Sequence, residues 1–144
     1  MLTSTVEFQV KFNEVDALGI VWHGHYIRFF EDGREAFGEK HGLAYLDIYK
    51  QGFLAPIVSI HCNYKKTLEY RDKVIVETEF VDSLAAKIIF NYKIYLASTR
   101  ELIADGNSVQ VFLDNKQRQL QLIAPDFFME WNRKTIALNL HDHE

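Results

Sequence analysis

One carboxylate is set apart by its surroundings. Asp16 lies in the segment Asn13-Glu14-Val15-Asp16-Ala17-Leu18-Gly19-Ile20-Val21-Trp22-His23-Gly24-His25-Tyr26, directly ahead of a stretch with helical spacing. A helix begins with backbone N–H groups that lack intrahelical partners and with partial positive charge. Acids in the first turn commonly answer that charge. Here the first turn holds Gly24, His25, Tyr26 and Ile27, followed by Arg28, and the next acids are Glu31 and Asp32, about two turns in. The tip is thereby left free for an external anion. Backbone amides around His23 to Tyr26 suit a carbonyl oxygen that turns negative on attack, as in thioester hydrolysis. A carboxylate on the other side of that carbonyl can activate water as general base or attack directly to give an anhydride. Gly19, between the two, lets the loop turn back so that acid and helix end face one site.

Periodicity locates the elements that must position these groups. Val6, Phe8, Val10 and Phe12 alternate with Glu7, Gln9 and Lys11, which predicts a strand with one buried face. Asn13 to Trp22 breaks the alternation and reads as a loop. From about Gly24 to His41 the spacing predicts a helix with a stripe of Tyr26, Phe30, Gly33 and Phe37, widened by Ile27, Phe29 and Ala36, and with Gly42 as C-cap. Gly33 inside a helix costs about 1 kcal/mol relative to alanine, which a close approach to another backbone would offset. Leu43 to Gln51 forms a short helical or irregular connection. Strands are predicted over Val58–Tyr64, Val74–Phe80, Ile88–Leu96 and Leu102–Leu113, with a bulge at Gly106 and a turn at Asp114, Asn115 and Lys116. Pro125 to Arg133 predicts a short terminal helix, and His141 to Glu144 a loose end. The plan is α+β, with residues 1–144 as one domain. One helix cannot cover both faces of a curved antiparallel sheet whose far face carries Ile75, Val81, Ile89 and Tyr95, so self-association is expected.

The loop and helix Asp16-Ala17-Leu18-Gly19-Ile20-Val21-Trp22-His23-Gly24-His25-Tyr26, with Phe29-Phe30-Glu31 and Arg34 beyond, resemble the signature of the 4-hydroxybenzoyl-CoA thioesterase family and its YbgC-like acyl-CoA thioesterases. The resemblance in element order covers nearly the whole chain. It implies a hotdog fold, a long central helix wrapped by a curved antiparallel sheet, in homodimers or homotetramers with active sites at subunit interfaces and no metal or organic cofactor. It assigns Asp16 as the catalytic carboxylate and the His23 backbone N–H as the donor that polarises the thioester carbonyl. Gly19, Trp22, His25 and Tyr26 are then candidate substrate contacts, and Lys65, Lys66 and Lys87 candidates for the CoA phosphates. Thr67 stands where the family usually has proline after the basic pair.

Composition sets outer limits. Of 144 residues 48% are hydrophobic and 14% aromatic, with two prolines, which excludes a disordered class. A single cysteine, Cys62, cannot form an intrachain disulfide, and the start MLTSTVEFQVKF lacks an export signal, so a cytoplasmic location is expected. No apolar run approaches the roughly 20 residues of a membrane span. A net charge of −4 gives no reason to expect nucleic-acid binding. Plainer readings stand beside the catalytic ones. Asp16 suits an ordinary Asx-turn. His23, His25 and His41 lack the spacing and companions of a metal site. Glu31 and Arg34 suit a solvated ion pair, Ser59, His61 and Asn63 a polar strand face, and Cys62 a core thiol. Tyr26, Phe30 and Phe37 are core first. Within thioester hydrolysis a fatty or short acyl-CoA is favoured, with 1,4-dihydroxy-2-naphthoyl-CoA or another aromatic acyl-CoA as the alternative and acyl-carrier protein as another possible donor. A hotdog hydratase or dehydratase using Asp16 and His23, and a non-enzymatic acyl-CoA binder, are the competing classes. Free thiol against loss of enoyl absorbance separates the former from a thioesterase.

Overall fold

A computed structural model describes the backbone of residues 2–142 and the side chains through Leu138. In chain order it comprises β1 (Thr3–Gln9), α1 (His25–His41), α2 (Tyr45–Lys50), β2 (Phe53–Leu54), β3 (Ile57–Tyr64), β4 (Lys73–Val81), β5 (Lys87–Leu96), β6 (Leu102–Val111), β7 (Leu113–Asp114) and α3 (Asp126–Asp142). Five strands form one antiparallel sheet in the order β1-β4-β5-β6-β3, and β2 pairs with β7 in a small ribbon. This is the α+β hotdog plan, with the long helix packed on one face of the sheet.

The alternating residues Val74, Val76, Thr78 and Phe80 of β4 and Ile88, Phe90, Tyr92 and Ile94 of β5 are buried, and they meet the α1 stripe of Tyr26, Phe29, Phe30 and Phe37. The Phe30 ring stacks on Tyr92 at 4.6 Å. Gly42 ends α1 with φ +75° and returns its N–H to the Gly38 carbonyl, as a left-handed C-cap does. Gly33 does mark a close approach, but to side chains rather than backbone. An added Cβ would lie 2.5 Å from Thr78 Oγ1 and 2.7 Å from Val76 Cγ1. α3 closes the end of this core, with Phe128 and Trp131 against Phe80 and the Trp131 indole N–H donating to the His41 carbonyl at 2.6 Å.

Several expectations are corrected. β1 stops at Gln9, and Phe12, turned out by the short 3-10 turn Phe12–Glu14, is 77% exposed rather than buried. Gly106 makes no bulge, since it pairs in register with Tyr92 and Cys62. The irregularity between β5 and β6 falls instead beyond the Ile94–Ala104 pair. What Gly106 supplies is space, because a Cβ there would come 2.6 Å from the Phe30 ring and collide with the His61 carbonyl. β3 is an edge strand, so Val58, Ile60 and Tyr64 remain exposed while Cys62 is half-buried against the core. Arg34 forms no ion pair with Glu31 among the described residues; its guanidinium donates to the Tyr92 hydroxyl at 3.2 Å, which in turn shares a hydrogen bond with Ser108. The terminal helix runs well past Arg133, through His141 and Asp142, whereas His143 and Glu144 of the expected loose end lie outside the described residues. No helix among the described residues is long and apolar enough to cross a membrane.

Candidate active site

The loop that carries Asp16 is a tight hairpin. Val15 bridges Val21, the Trp22 N–H donates to the Glu14 carbonyl at 3.0 Å, and the Asp16 N–H donates to the Ile20 carbonyl at 2.8 Å. Gly19 has φ +81°, a region costly for other residues, and its N–H reaches the Asp16 carbonyl at 3.0 Å. The hairpin is clipped to the segment after β3, through the Val21 N–H on the Leu68 carbonyl at 2.8 Å and an Ile20–Glu69 bridge. Leu68 and Val21 are buried anchors. One Asp16 oxygen, Oδ1, accepts from the Leu18 N–H at 2.8 Å. The Asx-turn reading of Asp16 therefore holds, and it leaves Oδ2 without a hydrogen bond among the described residues.

At the helix tip the Trp22 carbonyl accepts from the His25 N–H at 3.0 Å and the His23 carbonyl from the Tyr26 N–H at 3.3 Å. Those carbonyls point along the helix. In planar trans peptides the following N–H groups, of His23 and Gly24, then point off the tip. Neither has an intrachain acceptor among the described residues, and the first turn contains no acid. The Trp22 ring lies over Gly24 so closely that a Cβ there would sit 2.7 Å from its Cε3 atom, nearer still to two others.

Glu14 is the group that sequence reading missed on this side. Its side chain is 4% exposed, accepts from the Lys11 N–H at 2.6 Å and pairs with Arg28 of α1. It thus bolts the hairpin to the helix. Only its position two residues before Asp16 hinted at a role. Tyr64 was missed as well: its hydroxyl donates to the His23 carbonyl at 2.7 Å.

The predicted ligand contacts are brought together in part. The Trp22 ring lies 5.1 Å from that of His23 and 5.4 Å from that of His25, and Trp22 and His23 face solvent. Tyr26, packed against Phe29 and Tyr64, is 3% exposed, and burial pushes its phenol up to about 12. His41, at the far end of α1, is separated from His25 by the length of that helix. Lys65 and Lys66 follow β3 near the tip, 3.8 Å from Asp105 and 2.9 Å from Glu101 respectively. Lys87 is remote from them within one chain. It opens β5, whereas Tyr64 aligns through Ala104 with Ile94, and the strand between Lys87 and Ile94 spans about 24 Å at about 3.4 Å per residue.

Two shallow surface depressions lie elsewhere on the chain. One, of about 190 Å³, runs along α1 and is lined by Val6, Phe8, Lys11, Glu14, Arg28, Phe29 and Asp32. Burial raises the Asp32 carboxyl above its ordinary value against the opposing charge of Arg28. The other, of about 450 Å³, lies around Arg71 to Lys73 and Leu96 to Ser98. Neither is lined by Asp16 or His23, of which the first is half-buried and the second exposed.

The arrangement can present two amides to a developing oxyanion and a free carboxylate oxygen nearby in sequence, the parts acyl transfer needs. Comparison with known proteins agrees with this chemistry. The model of the thioesterase-like superfamily matches residues 10–132. A Bacillus subtilis protein named "Putative acyl-CoA thioesterase YneP" is 32% identical over 136 residues, covering 92% of this chain and 98% of that protein. A chloroplastic acyl-acyl carrier protein thioesterase of Arabidopsis thaliana is 27% identical over 81% of this chain and 62% of its own length. Among solved structures, a DHNA-CoA thioesterase from Staphylococcus aureus superposes with a TM-score of 0.84 at 28% identity, covering 99% of this chain and 96% of that one. The chain belongs to the thioesterase-like superfamily, as a hotdog-fold enzyme of thioester hydrolysis.

Proposed function

We propose that the enzyme hydrolyses acyl-CoA thioesters, with Asp16 as the reacting carboxylate and the amides at the tip of α1 as the oxyanion donors. The observation that carries this reading is the pair of outward-pointing N–H groups of His23 and Gly24 at an acid-free helix start, which, like Asp16 Oδ2 on the neighbouring hairpin, have no hydrogen-bond partner among the described residues. In one route Asp16 takes a proton from water as the water oxygen bonds to the carbonyl carbon. The C–S bond then breaks, and the CoA thiolate leaves and is protonated. In the other route an Asp16 oxygen bonds to that carbon, the C–S bond breaks so that CoA thiolate leaves and is protonated, and water cleaves the mixed anhydride so formed to free acid and the Asp16 carboxylate. Single turnover in ¹⁸O-water separates them, since only the anhydride route can place label in Asp16.

The subunit acts as one hotdog unit in a cytoplasmic homodimer or homotetramer. Support comes from β3, an edge strand with no further strand beside it among the described residues, which carries exposed Val58 and Ile60. A partner there would also add walls to the site. Trp22, His25 and Tyr26 border the acyl group in this reading, and Lys65 and Lys66 the CoA phosphates. A fatty or short acyl group is preferred. The likeness to the Staphylococcus aureus DHNA-CoA thioesterase favours a second reading, an aromatic acyl-CoA, and the Arabidopsis relative makes acyl-carrier protein an alternative donor. A thiol-release assay over acetyl-, octanoyl-, palmitoyl- and benzoyl-CoA and one acyl-carrier protein tests the proposal. Turnover of at least one acyl-CoA is expected. No thiol release from any, or loss of enoyl absorbance without thiol release, overturns it.

A further inference from the structure

The hydroxyl of Tyr64, at the end of the edge strand, donates to the His23 carbonyl at 2.7 Å across 41 residues of sequence. That carbonyl also accepts from the Tyr26 N–H at 3.3 Å. Two donors therefore hold one side of the His23–Gly24 peptide, and its N–H projects from the opposite side, off the helix tip. A donor on the carbonyl also polarises the amide and strengthens the N–H as a donor in its own right. The Tyr64 ring is itself steadied, edge-on to Tyr26 at 5.0 Å and to His23 at 6.3 Å. Burial of the phenol, followed in size by neighbouring Cys62, raises it above its ordinary value, so at neutral pH the hydroxyl keeps its proton. Yet Tyr64 is 47% exposed, and a hydrogen bond so open to water contributes little to folding. Its geometric effect, unlike its contribution to stability, falls wholly on the peptide at the tip.

We propose that Tyr64 is a positioning residue for thioester hydrolysis, its hydroxyl fixing the His23–Gly24 peptide so that the Gly24 amide joins that of His23 in binding the carbonyl oxygen. This rests on the reading of the helix tip as the oxyanion site. The test is Tyr64→Phe, which removes only the hydroxyl, assayed beside wild type and Asp16→Asn with octanoyl-CoA and benzoyl-CoA. A second readout is the infrared carbonyl band of benzoyl-CoA, ¹³C-labelled at the carbonyl, bound to Asp16→Asn with and without Tyr64→Phe. The expected result is a kcat about tenfold lower with KM within about twofold. The bound carbonyl band, lowered from its position in free benzoyl-CoA, should move back toward it when the hydroxyl is absent. A purely structural hydroxyl would not move that band. An unchanged kcat and band in Tyr64→Phe, where wild type is active and Asp16→Asn is not, overturns the role of Tyr64 alone. Unshifted bands throughout, with Asp16→Asn as active as wild type, overturn the oxyanion-site reading and Tyr64 with it.

Discussion

Gly33→Ala sets two opposing effects against each other on α1. Helix propensity alone favours alanine by about 1 kcal/mol. Against it, the new Cβ would sit 2.5 Å from Thr78 Oγ1 and 2.7 Å from Val76 Cγ1, about 1 Å inside the usual 3.5–4.0 Å contact distance. Both neighbours are fully buried, lie on β4 inside the sheet, and are β-branched with stiff χ1 angles. Neither can swing aside, so the cost belongs near the upper end of the about 1–3 kcal/mol typical of overpacking. The net effect is a loss of about 1–2 kcal/mol, or a Tm lower by about 3–8 °C. Relief comes from lifting α1 off β4, which strains the Glu14–Arg28 tie between helix and hairpin while Leu68 and Glu69 hold the hairpin back. The tip therefore shifts against the acid, and a displacement approaching 1 Å costs up to about 100-fold in rate. Urea unfolding gives the stability and thiol release the rate per folded molecule. In a Thr78→Ala background the cost of Gly33→Ala should fall by about half, since one of the two overlaps is gone. A higher urea midpoint for Gly33→Ala, or full activity with no coupling to position 78, would refute the packing derived for α1 on β4.

Other consequences concern the hairpin and the far end of α1. Glu14→Gln keeps the shape but removes the charge facing Arg28. Because the Arg28 side chain is 43% exposed and can rehydrate, the loss should be about 1–3 kcal/mol, below the range for a wholly buried pair, with kcat reduced as the hairpin loosens. Urea unfolding and thiol release check both. Burial holds the His41 imidazole below its ordinary 6.5, more than the Thr3 carbonyl raises it. As pH falls through 6.5 the unfolded chain takes up this proton before the folded one, so stability declines on acidification and returns as pH rises. Urea midpoints between pH 5 and 7.5 should slope upward, and His41→Gln should flatten part of that slope.

Much of the frame was legible because buried faces repeat. The α1 stripe, Gly42 and the alternating faces of β4 and β5 follow from periods of 3.6 and 2. Period reports which face is buried, not what covers it, so the same alternation in β3 gave no sign that this strand lies at the sheet edge with Val58 and Ile60 exposed. Gly106 illustrates a similar ambiguity, since a glycine in a strand serves a bulge and a close approach equally well and only its neighbours, the His61 carbonyl and the Phe30 ring, decide between them. α3 outran its predicted end because Phe128 and Trp131 anchor its start, while good helix formers such as Lys134, Ala137 and Leu138 continue it without an apolar stripe. At the site, the Asp16 loop and bare helix tip were legible from local order. The Glu14–Arg28 and Tyr64–His23 pairs were not, being contacts across 14 and 41 residues.

The most direct test of the proposed chemistry is kcat for thiol release by Asp16→Asn. Asparagine retains the oxygen that accepts from the Leu18 N–H, so the hairpin should keep its form and the wild-type melting profile. It cannot take a proton from water or form an anhydride as the carboxylate does. The expected result is a kcat at least about 100-fold lower, with a far smaller loss for His23→Ala, whose backbone N–H survives. Wild-type turnover by a correctly folded Asp16→Asn would contradict the account.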